Sequence, residues 1–512
     1  MASFKRPLEP KLVTSVLPPE GQKWGSLNKF DAYSRWVIPE IDFDDLINAL
    51  PMGASLRGVP GNGSTIATLP STATWMSAQI LNAGVYLFFL CADNNVYQVS
   101  LGGTVTKING ATAIGQNAQI GNWQGTTILI TDPAAQRVYS WNGTTFSTVT
   151  ALNGTPASYI AVYSGRLWGI NNSTLWWTDV NNYASLGGSA GNVVITDEDC
   201  TTPAIGLMAF AGSLYLFGPG WMQVISNPQT SGSPAQLTFN KQTLQAEVGI
   251  YTQWAIQPYG PYLYFANAYG VWRLEGAFPV LVSEPLGGFF QNLAAGSTLS
   301  TAFCQIYGTP VLLWHGKWGG DSNYTIFGLT EELKWFRVNA GNVTFIDSIV
   351  SAAITNNLPT AWATDGTNVW QLFGNASAQV TSTYNTRYFN GGNPVGYKVV
   401  GKVGIAGVIS GSTTVAVTFR NELGQSMGSS TQTYTPAGIS FVNQYGQTLQ
   451  FQNNSSQNLN ALGSGTSQYQ IWPFDVPDRC RALGLDINIT SAGATLQNIA
   501  LEYQESPAAW GS

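Results

Sequence analysis

Apolar–aromatic pairs recur along the chain at Val96-Tyr97, Val138-Tyr139, Leu175-Trp176, Val271-Trp272, Ile326-Phe327 and Val369-Trp370, and Gly220-Trp221 fills the single gap in the series. The aromatic residues fall 42, 37, 45, 51, 55 and 43 positions apart. Each pair follows a short apolar run and a turn-rich break. Residues 85–90 precede Asp93-Asn94-Asn95, residues 126–131 precede Asp132-Pro133, and residues 214–217 precede Gly218-Pro219-Gly220. Residues 262–266, 310–314 and 362–363 open three further cases. Strand, Asx or Gly turn, strand is a β-hairpin signal. Seven such signals at a period of roughly 40–50 residues predict propeller blades, whose sheets bury their faces against one another. A β-sandwich or a string of unrelated hairpins is the competing reading. The known blade signatures, such as Gly-His paired with Trp-Asp, are absent, so the propeller is a divergent one.

The expected architecture is all-β. A divergent six- or seven-bladed β-propeller spans residues 71–379, between an extended N-terminal arm (1–70) and a C-terminal β-sandwich (380–512). Tyr97, Tyr139, Trp176, Trp221, Trp272, Phe327 and Trp370 are the candidate blade-core aromatics. One short helix is predicted in the arm, at residues 41–50 (IDFDDLINAL), with acids in its first turn and Pro51 at its end. Alternation beyond residue 380 predicts strands over residues 397–410, 413–420, 447–452 and 468–472. It also predicts a final hairpin, residues 482–490 and 495–503, turning at 491–494.

Scarce residue types exclude most chemistry. The single histidine, His315, cannot build a His-rich metal site. Cys91, Cys200, Cys304 and Cys480 lie too far apart for a CxxC motif or a dense disulfide framework. They are expected to be buried thiols of a protein made in a reducing compartment. The longest apolar run, residues 85–92, is far short of the roughly 18 residues of a membrane span. The first residues, Met1-Ala2-Ser3-Phe4-Lys5-Arg6-Pro7, lead into no secretory core. Charged residues make up 9% of the chain, against about a quarter in ordinary soluble domains.

That charge is uneven. Residues 1–36 carry Lys5, Arg6, Lys11, Lys23, Lys29 and Arg35 against Glu9, Glu20 and Asp31, whereas the whole chain stands at −6. A basic arm before an acidic body suggests docking on an acidic surface such as a neighbouring copy. Lys5, Arg6, Lys11 and Lys23 are therefore candidate assembly residues. The alternative is a loose terminus.

No residue set earns a catalytic, metal or cofactor assignment. Residues 363–370 look like an Asp-box turn with one residue too few, and an Asx turn accounts for them. Asp197-Glu198-Asp199 lacks the spacing of a calcium loop and is expected to be a solvated acidic loop. His315 sits in Trp314-His315-Gly316-Lys317-Trp318-Gly319-Gly320, predicted as a blade-tip loop with stacked tryptophans. The Gly-Lys pairs at 316–317 and 401–402 do not continue as phosphate loops.

Taken together, the Pro-containing basic lead, Leu56-Arg57-Gly58-Val59-Pro60-Gly61, hairpins such as residues 96–103, and a strand-rich tail ending in Ile499-Ala500-Leu501-Glu502-Tyr503 carry a resemblance. The layout resembles the tail nozzle (tail hub) proteins of short-tailed bacteriophages, the group that includes packaged-DNA stabilisation proteins. The resemblance implies a structural virion protein rather than an enzyme. It implies a homo-oligomer, a hexameric ring below the portal adaptor protein, assembled in the host cytoplasm and resident in the virion tail. Such a ring extends the DNA channel, retains the packaged genome, passes DNA without binding it tightly, and receives tail fibres, spikes or a plug. No cofactor and no membrane insertion are expected. The alternative function is a carbohydrate-binding or glycan-cleaving propeller on a virion or cell surface, motivated by Trp176-Trp177 and by the segment holding Trp314 and Trp318.

Overall fold

A computed structural model describes residues 12–29, 34–293, 299–318, 324–339, 341–349, 358–392, 397–409, 411–435, 451–452, 458–459, 468–477 and 479–505. The chain forms two compact units. One comprises residues 63–333 and 340–372; the other gathers residues 1–62, 334–339 and 373–512.

The first unit is a β-propeller with six four-stranded antiparallel blades. The first blade runs Ala73–Leu81, Gly84–Cys91, Val96–Ser100 and Val105–Lys107. The next four begin with the inner strands Ile120–Trp123, Tyr159–Tyr163, Gly206–Phe210 and Ile256–Tyr259. The sixth begins with Phe345–Ile349. Between the fifth and sixth lies an antiparallel meander of Ser300–Ile306, Thr309–Gly316 and Thr325–Thr330. All seven hairpins read from the sequence are present, six in the blades and one in this meander. The ring starts earlier than residue 71. Strand Thr65–Thr68 is the outermost strand of the sixth blade, pairing Thr68 with Asn368 and Ala67 with Val369.

Local sequence explains the hairpins. Second strands such as Thr127–Asp132 and Arg166–Asn171 are buried almost throughout. A strand covered on both faces loses the alternation of a half-exposed one. The turns are closed by side chains: the Asp93 carboxylate accepts the Asn95 N–H at 3.2 Å, and Asp365 accepts those of Thr367 and Asn368 at 2.9 and 2.6 Å. Asn94, between the strands of the first hairpin, adopts φ 59°, a conformation Asn tolerates better than most side chains. Apolar clusters fill the spaces between consecutive blades. Trp168, Leu175, Leu207, Leu216 and Trp221 form one of them, and Phe217, Met222, Leu263 and Phe265 another.

The second unit is built of two sheets. One contains Leu12–Leu17, Ala49–Met52, Ser55–Gly58, Lys398–Ile409, Gln468–Asp475, Arg479–Cys480 and Thr495–Glu505. The other contains Phe43–Ile47, Trp335–Val338, Val380–Thr386, Thr413–Arg420, Ser426–Tyr434 and Gly484–Ser491. Each buries one face: Val415, Val417, Phe419, Leu485, Ile487 and Ile489 in one sheet, Val403, Ile405, Leu496, Ile499 and Leu501 in the other.

Three sequence expectations are corrected here. Residues 41–50 are not a helix but the strand Phe43–Ile47 and the start of Ala49–Met52. The acids that resembled a helical first turn have distant partners: Asp42 takes the Ser26 N–H and the Asn28 amide, Asp44 pairs with Lys29 at 3.3 Å, and Asp45 with Arg337 at 3.3 Å. Asn48, at φ 54°, turns the chain between the strands, and Pro51 is tolerated because its strand lies at a sheet edge. The short helix of this region is Ser34–Val37 instead. Residues 482–503 are not a hairpin. Gly484–Ser491 pairs within one sheet and Thr495–Glu505 within the other, so the turn between them is a corner that carries the chain across the core. Finally, the N-terminal segment is not a free arm from Leu12 onward. Leu12–Leu17 pairs antiparallel with the chain's own last strand, Val16 opposite Ala500. Among the described residues no helix is long and apolar enough to cross a membrane.

Candidate functional site

The inner strands of the propeller converge on an axial cavity of about 260 Å³. Its wall draws on the blades' inner strands and on the meander's first strand, with Gln119 and Ile120, Tyr159 and Ile160, Ser300 and Thr301, and Phe345 and Ile346 among its residues. In a propeller this end is formed by connections between successive blades, so a single cavity gathers residues remote in sequence.

Asp347 and Ser348 are the focus of the wall. They are adjacent in the inner strand of the sixth blade, and a strand sends adjacent side chains to opposite sides. The Asp347 carboxylate accepts the Ala78 N–H of the first blade at 2.7 Å. Ser348 Oγ accepts the Phe303 N–H of the meander at 2.9 Å. Asp347 also takes the Ser348 N–H at 2.7 Å. Burial pushes its carboxyl up to about 7, and the two backbone N–H groups oppose this only in part. Gln253 makes a similar tie elsewhere in the ring, accepting the Leu207 N–H at 2.8 Å and donating to the Leu207 carbonyl at 3.2 Å.

His315 lies behind this wall, fully buried in the strand Thr309–Gly316. This corrects the expected blade-tip loop: Trp314, His315 and Gly316 are strand residues, with Trp314 at 0% and Trp318 at 1% exposure. With Nε2–H donating to the Val343 carbonyl at 3.1 Å, Nδ1 is left to accept the Ser300 hydroxyl at 3.2 Å. Ser300 Oγ in turn accepts the Ile346 N–H at 3.2 Å. The ring of Tyr324 stacks on the imidazole at 4.6 Å. Burial holds the imidazole down to about 4, so it is neutral at pH 7. The Ser–His contact thus ends on a carbonyl rather than a carboxylate, and its polar atoms are occupied by neighbouring backbone.

The candidate blade-core aromatics divide into two groups. Tyr97, Tyr139, Trp176, Trp221 and Phe327 are buried, while Trp272 and Trp370 are half-buried. The Trp272 indole donates to Asn267 at 3.0 Å, and the Trp221 indole to the Thr202 carbonyl at 3.0 Å. Of the candidate arm residues, Lys5, Arg6 and Lys11 lie outside the described residues, and Lys23 is exposed. In the acidic loop, Glu198 and Asp199 are exposed as expected, while Asp197 is half-buried, paired with Lys241 at 2.6 Å and hydrogen-bonded by Gln223 at 2.8 Å. Among the described residues no three His, Cys, Asp or Glu side chains gather as a metal site. The four cysteines are buried free thiols, and burial pushes Cys91 and Cys304 up to about 12.

No protein-family model and no curated protein matches the sequence. Among solved structures, streptogramin B lyase aligns at 10% identity with a TM-score of 0.41, over 60% of this chain and 96% of the other. U3-55K aligns at 9% identity and 0.40, over 61% and 99%. The WD40 β-propeller domain of Doa1 aligns at 7% identity and 0.39, over 61% and 96%. Each likeness is one of fold.

Proposed function

We propose that this chain is a structural virion protein of the tail-nozzle type of short-tailed bacteriophages. It forms a hexameric ring below the portal adaptor, extends the DNA channel, retains the packaged genome, and carries fibres, spikes or a plug. The carrying observation is an outer sheet face in the unit that holds both termini. Val16, Ala500, Gly404 and Pro473 follow one another in register across four adjacent strands. Leu12, Tyr469 and Ile471 stand on the same face at 53, 56 and 53% exposure. Exposed apolar side chains gathered on one sheet face are what subunit interfaces use. Few charges suit an assembly whose contacts depend little on salt.

The glycan alternative rested on Trp176, Trp177, Trp314 and Trp318. All four rings are buried, so none offers a face to a sugar. The test is genetic and visual. Particles made without the protein should package DNA and then lose it, and the purified protein mixed with its adaptor should form rings in negative stain. Particles that keep their DNA and infect normally would overturn the reading.

A further inference from the structure

We infer that the axial cavity of the propeller is a binding site for a small organic ammonium ion, with the Asp347 carboxylate as its counter-charge. The inference stands on the propeller alone and does not depend on the assembly reading. Asp347 lines the cavity, and among the described residues no Lys or Arg does. Its carboxyl accepts the Ala78 and Ser348 N–H groups, and among the described residues it forms no ion pair. Asp347 is half-buried, and a partly desolvated carboxylate is stabilised when a positive group accompanies it.

Stapling the inner strands does not require that charge. Ser348 and Gln253 tie neighbouring strands through the same kind of backbone hydrogen bond with neutral groups. Asp347 therefore does more than its staple demands. The rest of the wall fits the two ends of such a ligand. Hydroxyls and amides such as Ser77, Gln119 and Gln257 offer acceptors to an ammonium group, and the aromatic residues Tyr159 and Trp254 also line the wall, a residue type that attracts cations. Met76, Ile120, Ile160 and Met208 line a path for methylenes. A cavity of about 260 Å³ holds roughly nine water-sized groups at about 30 Å³ each, which accommodates an aliphatic diamine with a few waters. A neutral sugar would be served by the hydroxyls and amides and would leave the carboxylate unpaired.

The test is calorimetric titration of the full chain at pH 8 with 1,4-diaminobutane and, separately, with 1,4-butanediol, which has the same shape without charge. The diamine should bind once per chain and the diol at least ten-fold more weakly. Asp347→Asn should weaken diamine binding ten-fold or more. Met208→Trp, which narrows the cavity and leaves the carboxylate in place, should weaken it as well. The diol comparison needs no variant, so the inference is testable even if Asp347→Asn does not fold. Equal binding of diamine and diol, no diamine binding at millimolar concentration, or undiminished binding by folded Asp347→Asn would each overturn it.

Discussion

Ser300 Oγ stands 3.2 Å from His315 Nδ1 and 3.2 Å from the Ile346 backbone nitrogen, so one hydroxyl joins the meander to the inner strand of the sixth blade. Removing it strands a buried acceptor and a buried donor together. Ser300→Ala should lower stability by about 2–4 kcal/mol, measured by urea unfolding. A loss below about 0.5 kcal/mol would show that the hydroxyl carries no such joint.

His315, on one side of that hydroxyl, and Asp347, the residue after Ile346 on the other, titrate in opposite senses. His315 is held down to about 4 from 6.5, so its contribution is present above pH 6.5 and fades as pH falls toward 4. Asp347 is pushed up to about 7 from 3.8, so its contribution is present below pH 3.8 and fades as pH rises through 7. Between about pH 4 and 6.5 the two slopes cancel. His315→Gln should therefore gain a slope of about −1.4 kcal/mol per pH unit over that window, relative to wild type, and Asp347→Asn one of similar size and opposite sign. Parallel curves for all three proteins would refute the pairing.

Burial orders the tryptophans. Trp168→Ala and Trp221→Ala, at 0 and 2% exposure, should each cost about 3–5 kcal/mol. Trp272→Ala and Trp370→Ala should cost roughly half as much, since part of each side chain stays wet. Thermal unfolding of the four variants side by side reads the order directly.

Arg166 is a buried fork. It donates to the Thr178 carbonyl at 2.7 Å, to Ser189 Oγ at 2.7 Å and, in the next blade, to Thr230 Oγ1 at 2.8 Å. Arg166→Ala should destabilise by about 3 kcal/mol or more. Arg166→Lys should recover little of that, because one ammonium cannot span the same acceptors. Full recovery by lysine would mean that charge alone matters there.

The protein should bind free duplex DNA negligibly near physiological salt, with almost no salt dependence. A chain of net charge −6 cannot release many counterions from a duplex. Fluorescence anisotropy across a salt series checks this; tight, salt-sensitive binding would contradict the channel-wall role.

The propeller was legible because its hairpins are written locally. Asp93 and Asp365 close their turns with atoms two and three residues away, and a short window of sequence contains that chemistry. The N-terminal misreading involves distant partners. Asp42, Asp44 and Asp45 resemble a helical start until Asn28, Lys29 and Arg337 claim them. The turn at residues 491–494 looks alike whether its strands pair or part, and only the apolar face on each side decides. The axial cavity was not read at all, since its wall comes from seven segments whose Gln, Ser and Thr residues are individually ordinary. One local signal was present: Phe345-Ile346-Asp347-Ser348-Ile349 sets an acid inside an apolar strand.

The strand Thr65–Thr68 is synthesised before any blade, yet it pairs with the last one, Thr68 meeting Asn368 across 300 positions. At about 5–20 residues per second, the ribosome needs roughly 15–60 s to make what lies between. Until then the segment lacks its native partner, and an unpaired strand edge is the kind of surface that invites pairing with other chains. Truncation anywhere before Gln371 leaves the last sheet incomplete, so the order of translation decides when the ring first becomes a closed body.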